Sequence, residues 1–264
     1  MKKQIISCMA LLITLGASAQ NAGIADHLGV GVGVGTTGIT VDLSTVFTDY
    51  IGVRVGADIF PSVKIGTELD LGFDEISENE YTSKYGKLPQ EIEVEGKTKL
   101  AAGHLLVDVH PFKSSFRVTV GAYIGSSDII SVYNKESGAL STITKFNKDV
   151  ENGAFPDALG VQKIGLELGD YFLEPDANGN VDASIRVNEF RPYVGIGFGR
   201  AVPKKRLGCQ FDLGVQFWGN PAIYTGEHKL TESDLGGDEG GIIKTISKIS
   251  VYPSLSFRLV GRIF

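Results

Sequence analysis

GVGVGVGTTG, residues 29–38, admits two readings, and the choice between them decides the fold. A glycine-rich loop that cradles phosphate follows a strand and opens a helix, so that free backbone N–H groups face the anion. Here the glycines recur at every second residue, no Lys-Ser or Lys-Thr follows, and the next residues, ITVDLSTVF (39–47), themselves alternate like a strand. A period of two is the side-chain repeat of β structure. The stretch therefore reads as a strand with valines on one face and glycines on the other, turning back at TTG (36–38).

The alternation persists along the chain. From residue 51, Ile51, Val53, Val55, Ala57 and Ile59 oppose Gly52, Arg54, Gly56, Asp58 and Phe60, and the same phase runs on through Val63, Ile65, Leu69 and Leu71 against Lys64, Glu68 and Asp70. AAGHLLVDVH (101–110), FRVTVGAYIG (116–125), RPYVGIGFG (191–199), LGCQFDLGVQFW (207–218) and SLSFRLVGRIF (254–264) repeat the pattern. With 28–36 and 39–46 they make eight strands, each with one apolar face and one face of glycine, polar and charged residues. Short joins at 36–38, 47–50, 110–115 and 200–206 contrast with long segments at 74–97, 126–186 and 219–249. Apart from TTG, the short joins fall at one end of an antiparallel meander and the long ones at the other.

The expected fold is all-β: an eight-stranded antiparallel transmembrane β-barrel, an up-and-down meander with long extracellular loops. The glycine stripe would face a lumen only just wide enough to be filled by side chains, leaving room for Arg, Tyr and His from other strands. The soluble alternative is a lipocalin-like barrel, with an apolar interior for a ligand and the charged face outside.

The N-terminus agrees with export. Lys2 and Lys3 precede the apolar run IISCMALLITLG, which leads to Ala17-Ser18-Ala19 and Gln20, the layout of a signal peptide over residues 1–19. Cys8 lacks the small-residue context of a lipoprotein, so no lipid anchor is expected. The barrel domain then spans 20–264 and keeps Cys209 alone, which can form no internal disulfide. Removing Lys2 and Lys3 from 25 basic residues leaves 23 against 31 acidic ones, a net charge of −8. No basic cluster exceeds PKKR (203–206), so nucleic acid is not an expected partner.

HLLVDVHPF (104–112), FRVTVGAY (116–123), RPYVGIGFGRAV (191–202) and GCQFDLGVQFWGNP (208–221) resemble a family of small Gram-negative outer-membrane β-barrel proteins of unassigned function. The ending from Tyr252-Pro253-Ser254-Leu255-Ser256 to Phe264 is similar to the close of that family, YPxLS leading to a terminal Phe. The resemblance implies insertion in the cell outer membrane and carries no catalytic residues to transfer. Arg262 departs from it, standing where an aromatic residue is common. Ile263, not Phe264, shares the apolar phase of Leu255 to Leu259, so either Gly261 marks a bulge or the terminal residue lies beyond the regular strand.

Arg54, Asp58, Lys64, Glu68, Asp70, His104, Asp108, Arg117, Asp212, Arg258 and Arg262 are the candidates for an inward, mutually paired set closing the lumen. His104 and Asp108 share a strand face but lie about 13 Å apart at about 3.3 Å per residue, too far for a base and its orienter. His27, His110 and His228 are too scattered for a metal site. DANGNVD (176–182) begins like a calcium loop, yet Val181 stands where that loop needs Gly and Val187 where it needs Glu. Asn178-Gly179 reads more simply as a hairpin turn, with 161–174 and 181–190 as extended arms projecting beyond the membrane.

The expectation for function is an outer-membrane barrel with a plugged polar lumen and a structural or surface-interaction role, not an enzyme. No catalytic, cofactor-binding or metal residue is assigned. Alternatives are a surface binding module acting through the long loops, a lipid-modifying enzyme, a narrow pore, or a lipocalin-like carrier. Expected partners are outer-membrane lipids, the barrel-assembly machinery and an extracellular partner at the long loops.

Overall fold

The computed structural model describes residues 27–168, 171–230 and 249–263. The segment read as a signal peptide, 1–19, lies outside them, as does Phe264. In chain order the elements are β1 (Leu28–Gly35), β2 (Gly38–Val46), β3 (Ile51–Ile59), β4 (Lys64–Gly72), helix α1 (Glu75–Tyr85), β5 (Glu91–Thr98), β6 (Ala101–Val109), β7 (Phe116–Gly125) and β8 (Asp128–Asn134). There follow helix α2 (Ser141–Glu151), β9 (Gly165–Leu168), β10 (Tyr171–Leu173), β11 (Asp182–Arg186), β12 (Phe190–Phe198), β13 (Leu207–Phe217), β14 (Ala222–Thr225), β15 (His228–Lys229) and β16 (Val251–Arg262).

Eight strands close a barrel in the order β1-β16-β13-β12-β7-β6-β3-β2, every pairing antiparallel. Gly33 in β1 lies opposite Thr40 on one side and Arg258 on the other, so the ring leaves no sheet edge. Its burial is inverted relative to a water-soluble domain. Val34, Leu105, Ile124, Phe198 and Leu259 are exposed on the outer wall, while Arg54, Asp108 and Arg117 are buried within. In β1 the alternation is direct: Gly29, Gly31 and Gly33 are buried and Val32 and Val34 exposed. Register through β16 is unbroken from Gly35↔Ser256 to Gly29↔Arg262, so Gly261 marks no bulge.

A second eight-stranded sheet, β10-β9-β4-β5-β8-β11-β14-β15, stands at one end of the barrel. Its central order, β4-β5-β8-β11-β14, matches the barrel order β3-β6-β7-β12-β13, the strand preceding or following each in sequence. Backbone hydrogen bonds bridge the gaps: Phe60 N–H to Leu100 O (2.8 Å), Gly125 N–H to Glu189 O (3.0 Å) and Asn188 N–H to Trp218 O (2.8 Å). Five barrel staves thus run on past the rim, whereas β1 and β2 turn back there through TTG. The alternation of residues 63–71 is real, but it belongs to β4 in this second sheet and not to the barrel. Pro61, just beyond the end of β3, cannot donate to a ladder.

The long segments are folded. Leu71, Leu88, Ile92, Val94, Leu140 and Leu166 form an apolar core with Ile143 and Phe146 of α2 and Tyr81 of α1. Ile143, Phe146 and Val150 fall at helical spacing on one face of α2, the stripe that packs inward. Asp74 caps α1 by accepting the Ser77 N–H at 2.7 Å. The expected hairpin arms do not pair with each other: β9 pairs with β10 and β4, and β11 pairs with β8 and β14. Asn178-Gly179 is a tight turn between them, with Gly179 at φ +76° and its carbonyl accepting the Leu140 N–H at 3.1 Å.

Candidate functional site

The lumen is filled by three arginines and three aspartates that arrive from six different strands. Arg54 on β3 reaches Asp108 on β6 through Nε at 2.6 Å and through a terminal nitrogen at 2.7 Å. Arg117 on β7 reaches Asp212 on β13 at 2.6 Å and Asp108 at 3.4 Å. Arg258 on β16 pairs with Asp42 on β2 at 2.6 Å and also with Asp212. Arg54 lies 3.4 Å from Asp212, and Thr119 donates to Asp108 at 2.7 Å. Opposite charges in equal number, each held by several partners, are what makes such deep burial tolerable. The six side chains occupy the lumen at this level, each buried.

The glycine stripe is what admits the network. A Cβ at Gly33 would run into Arg258 Cγ and the Phe257 carbonyl, and one at Gly31 would stand 2.5 Å from Asp42 Oδ1. A second seal lies at the end opposite the second sheet. There the turn 199–206 folds inward, burying Ala201 and Val202, and Ser44 on the far wall donates to the Ala201 carbonyl at 2.6 Å.

Toward the second sheet the filling changes. His104 Nδ1 lies 2.8 Å from Asp58 Oδ2, and Asp58 Oδ1 accepts the hydroxyls of Thr40 and, at 3.2 Å, Thr37. His104 Nε2 has no hydrogen-bond partner among the described residues. Tyr123 stands between His104 and Tyr193, with ring centroids at 5.3 and 5.5 Å. Two cavities that share Thr37, Asp58 and Tyr123 open here, about 260 Å³ at depth and about 340 Å³ at the rim, including space open to solvent. The upper one is bounded by Arg191, Gln216, Trp218 and Tyr252.

Of the residues expected inside, Arg54, Asp58, His104, Asp108, Arg117, Asp212 and Arg258 are buried in the lumen. Lys64, Glu68 and Asp70 are not: they lie on β4, where Lys64 pairs with Glu95 at 2.6 Å. Arg262 sits half-buried at the final residue of β16. The spacing argument about His104 and Asp108 holds in that each binds a different partner. Asp42 and Arg191 were missed, although Asp42 shares the phase of Thr40 and Ser44, and Arg191 that of Tyr193.

In DANGNVD the Asp176 carboxylate accepts the backbone N–H groups of Asn178 and Asn180, both at 2.8 Å, closing the turn on itself. Between the helices, Asp149 accepts from Lys84 and, at 2.5 Å, from Tyr85, which hold its carboxyl below the usual range. On the second sheet Glu91 is pushed up by its neighbour Glu68.

No family model matches the chain, and no curated protein matches it. Among solved structures it is similar to CarO2 of Acinetobacter baumannii, with 16% identity over 89% of this chain and 98% of that chain and a TM-score of 0.45. It is also similar to CarO of the same organism, with 13% identity over 89% and 97% and a TM-score of 0.41. Likeness at this level transfers no ligand, activity or partner to the residues described above.

Proposed function

We propose that this chain is an outer-membrane β-barrel protein whose sealed lumen serves as a rigid anchor and whose second sheet is a module displayed outside the cell for interaction. The observation that carries the reading is the inverted burial: a continuous apolar belt outside a neutral Arg/Asp network. Barrel strands of 8 to 12 residues suit a tilted span of the hydrocarbon layer. Phe47, Tyr50 and Phe112 at one rim and Phe190 and Phe217 at the other supply exposed aromatics at the two water interfaces. A lipocalin-like carrier calls for the opposite polarity on both faces. The filled lumen argues against a pore. For a lipid-modifying enzyme, Thr40 donates to Asp58 and not to His104, so no activated nucleophile is assembled there.

Fractionation and conductance test the reading. The protein is expected in the outer-membrane fraction, extractable only with detergent, shifting in gel mobility on boiling, and silent in planar bilayers. Release as a soluble periplasmic monomer by osmotic shock would refute the membrane assignment, and steady ohmic current would refute the sealed lumen.

A further inference from the structure

We propose that the outer edge of β4 in the second sheet binds an extended cationic peptide segment, added antiparallel as one more strand. β5 pairs with β4 along Lys64–Asp70 on one side, whereas on the other side β9 meets only Leu71 and Gly72. Val63 accepts the Thr98 N–H at 3.2 Å and Leu71 donates to the Gln90 carbonyl at 2.9 Å, so the odd residues of β4 turn their backbone groups toward β5. Alternation turns the N–H and C=O groups of Lys64, Gly66 and Glu68 the other way, where no strand of the described residues stands beside them. All residues from Lys64 to Glu68 are exposed. A row of outward backbone groups on an open edge is a template for strand addition.

The side chains along the edge select the occupant. Glu68 lies directly opposite Glu93 and Asp70 opposite Glu91, a like-charge arrangement that disfavours the pair. Lys64 is engaged by Glu95 and Lys135 by Glu93, both at 2.6 Å, but among the described residues no lysine or arginine pairs with Glu68, Asp70 or Glu91. The charges acting on Glu91 are those of Glu68 and then Asp70, and both push its carboxyl up. A basic residue of an added strand, set opposite Glu68 or Gly66, supplies the missing cation, and Gly66 has no side chain to bar its reach. On the other face Ile65 continues the row of Leu69 and Leu71, which pack in the core, yet Ile65 is 63% exposed. An apolar residue beside it covers that surface, so the edge fits a segment in which basic and apolar residues alternate. A second copy in the same membrane cannot supply this strand, because antiparallel pairing of two β4 strands, each rising from its own barrel, would invert one barrel.

The inference rests on the second sheet being an interaction module. Its test uses the full chain folded in detergent, so it is decided separately from the membrane anchor, which fractionation decides. A labelled peptide, Thr-Lys-Val-Lys-Val-Lys-Thr, is titrated and followed by fluorescence anisotropy. Saturable binding that weakens with salt is expected, with the version carrying Glu for each Lys about fivefold weaker or more. N-methylation of the lysines, whose N–H groups face β4, should weaken binding about tenfold or more, since each lost bond is worth a factor of about two to ten. N-methylation of the valines, whose N–H groups face away, should change little. Gly66→Pro removes one outward N–H and leaves the β5 ladder intact, and the nearest atom to a Cβ there is the Val94 carbonyl oxygen at 3.9 Å. That variant should keep the boiling-dependent gel shift and bind the peptide about tenfold more weakly. If Gly66→Pro does not fold, the methylated peptides on the wild type decide. The proposal is overturned by no saturable binding, by equal binding of the lysine-methylated or Glu peptide, by unaltered binding to folded Gly66→Pro, or by self-association of the protein through β4 in place of peptide binding.

Discussion

Five staves of this molecule pass through two environments, and the side chains they carry reverse their arrangement between them. Within the barrel the buried residues are Arg54, Asp108, Arg117 and Asp212, and the exposed ones are valine, leucine and phenylalanine. In the second sheet the buried residues are Leu71, Val94 and Ala183, gathered under two helices, while Glu68, Asp70, Glu91 and Glu93 face outward. The backbone is the same antiparallel ladder in both. What differs is which medium meets the outer face: burial of apolar area drives the sheet together where that medium is water. In the barrel, ion pairing and closure of every hydrogen bond have that task.

The comparison breaks most decisively at Asp212. Asp212→Leu leaves Arg54, Arg117 and Arg258 short of a shared anion and is expected to cost about 5 kcal/mol, the top of the range for orphaned buried charges. Urea unfolding followed by the gel shift of the barrel would measure it, and a loss below about 1 kcal/mol would mean water reaches the network. Next is Phe146→Ala, which empties the core of the second sheet. About 3 to 4 kcal/mol is expected, seen as new proteolytic cleavage between residues 140 and 180 while the gel shift of the barrel persists. Simultaneous loss of both signals would make the two regions one cooperative unit.

Gly33→Ala sharpens the barrel side. The added methyl meets Arg258 and a neighbouring carbonyl, and about 1 to 3 kcal/mol of destabilisation is expected in the same urea measurement.

On the water-exposed side, acid should loosen the helix pair. Asp149 is held below the ordinary carboxylate value of about 4, so its contribution is present above that value and lost as the pH falls through the lower folded one. Glu91, raised by Glu68, contributes with the opposite sign. The protection of α1 amides, taken relative to their intrinsic exchange rate at each pH, should therefore fall between pH 6 and pH 2 in the wild type, and Asp149→Asn should flatten that dependence. The smallest effect belongs to the exposed pair Lys135–Glu93, where Lys135→Ala should leave the proteolysis pattern unchanged.

The barrel was legible because each stave records its own orientation: a period of two, held for eight or more residues, needs no knowledge of its neighbours. The second sheet was not, since its core joins Leu88, Leu140 and Ile164 from segments that share no local period. Residues 63–71 lie where the staves pass from one sheet to the other. Their alternation identified a strand correctly but could not tell which sheet it entered, because Pro61 and the change of partner from β6 to β5 are not periodic features. Asp42 gives no local sign of pairing: Thr40 and Ser44, which share its phase, are uncharged, and its partner Arg258 comes from the far end of the chain. Arg191 stands next to a proline at the start of its strand, where alternation has barely begun.

The inturned segment 199–206 bears on the order in which the molecule comes together. Ser44 and Ala201 are 157 residues apart in the chain and meet across the full width of the ring. The segment has nothing to rest on until β2 and β3 are in position, and those strands complete the ring only when β16 has joined β1. Its entry is therefore a closing event, a latch that drops after the cylinder is formed. Afterwards, reversing the assembly requires the latch to lift first.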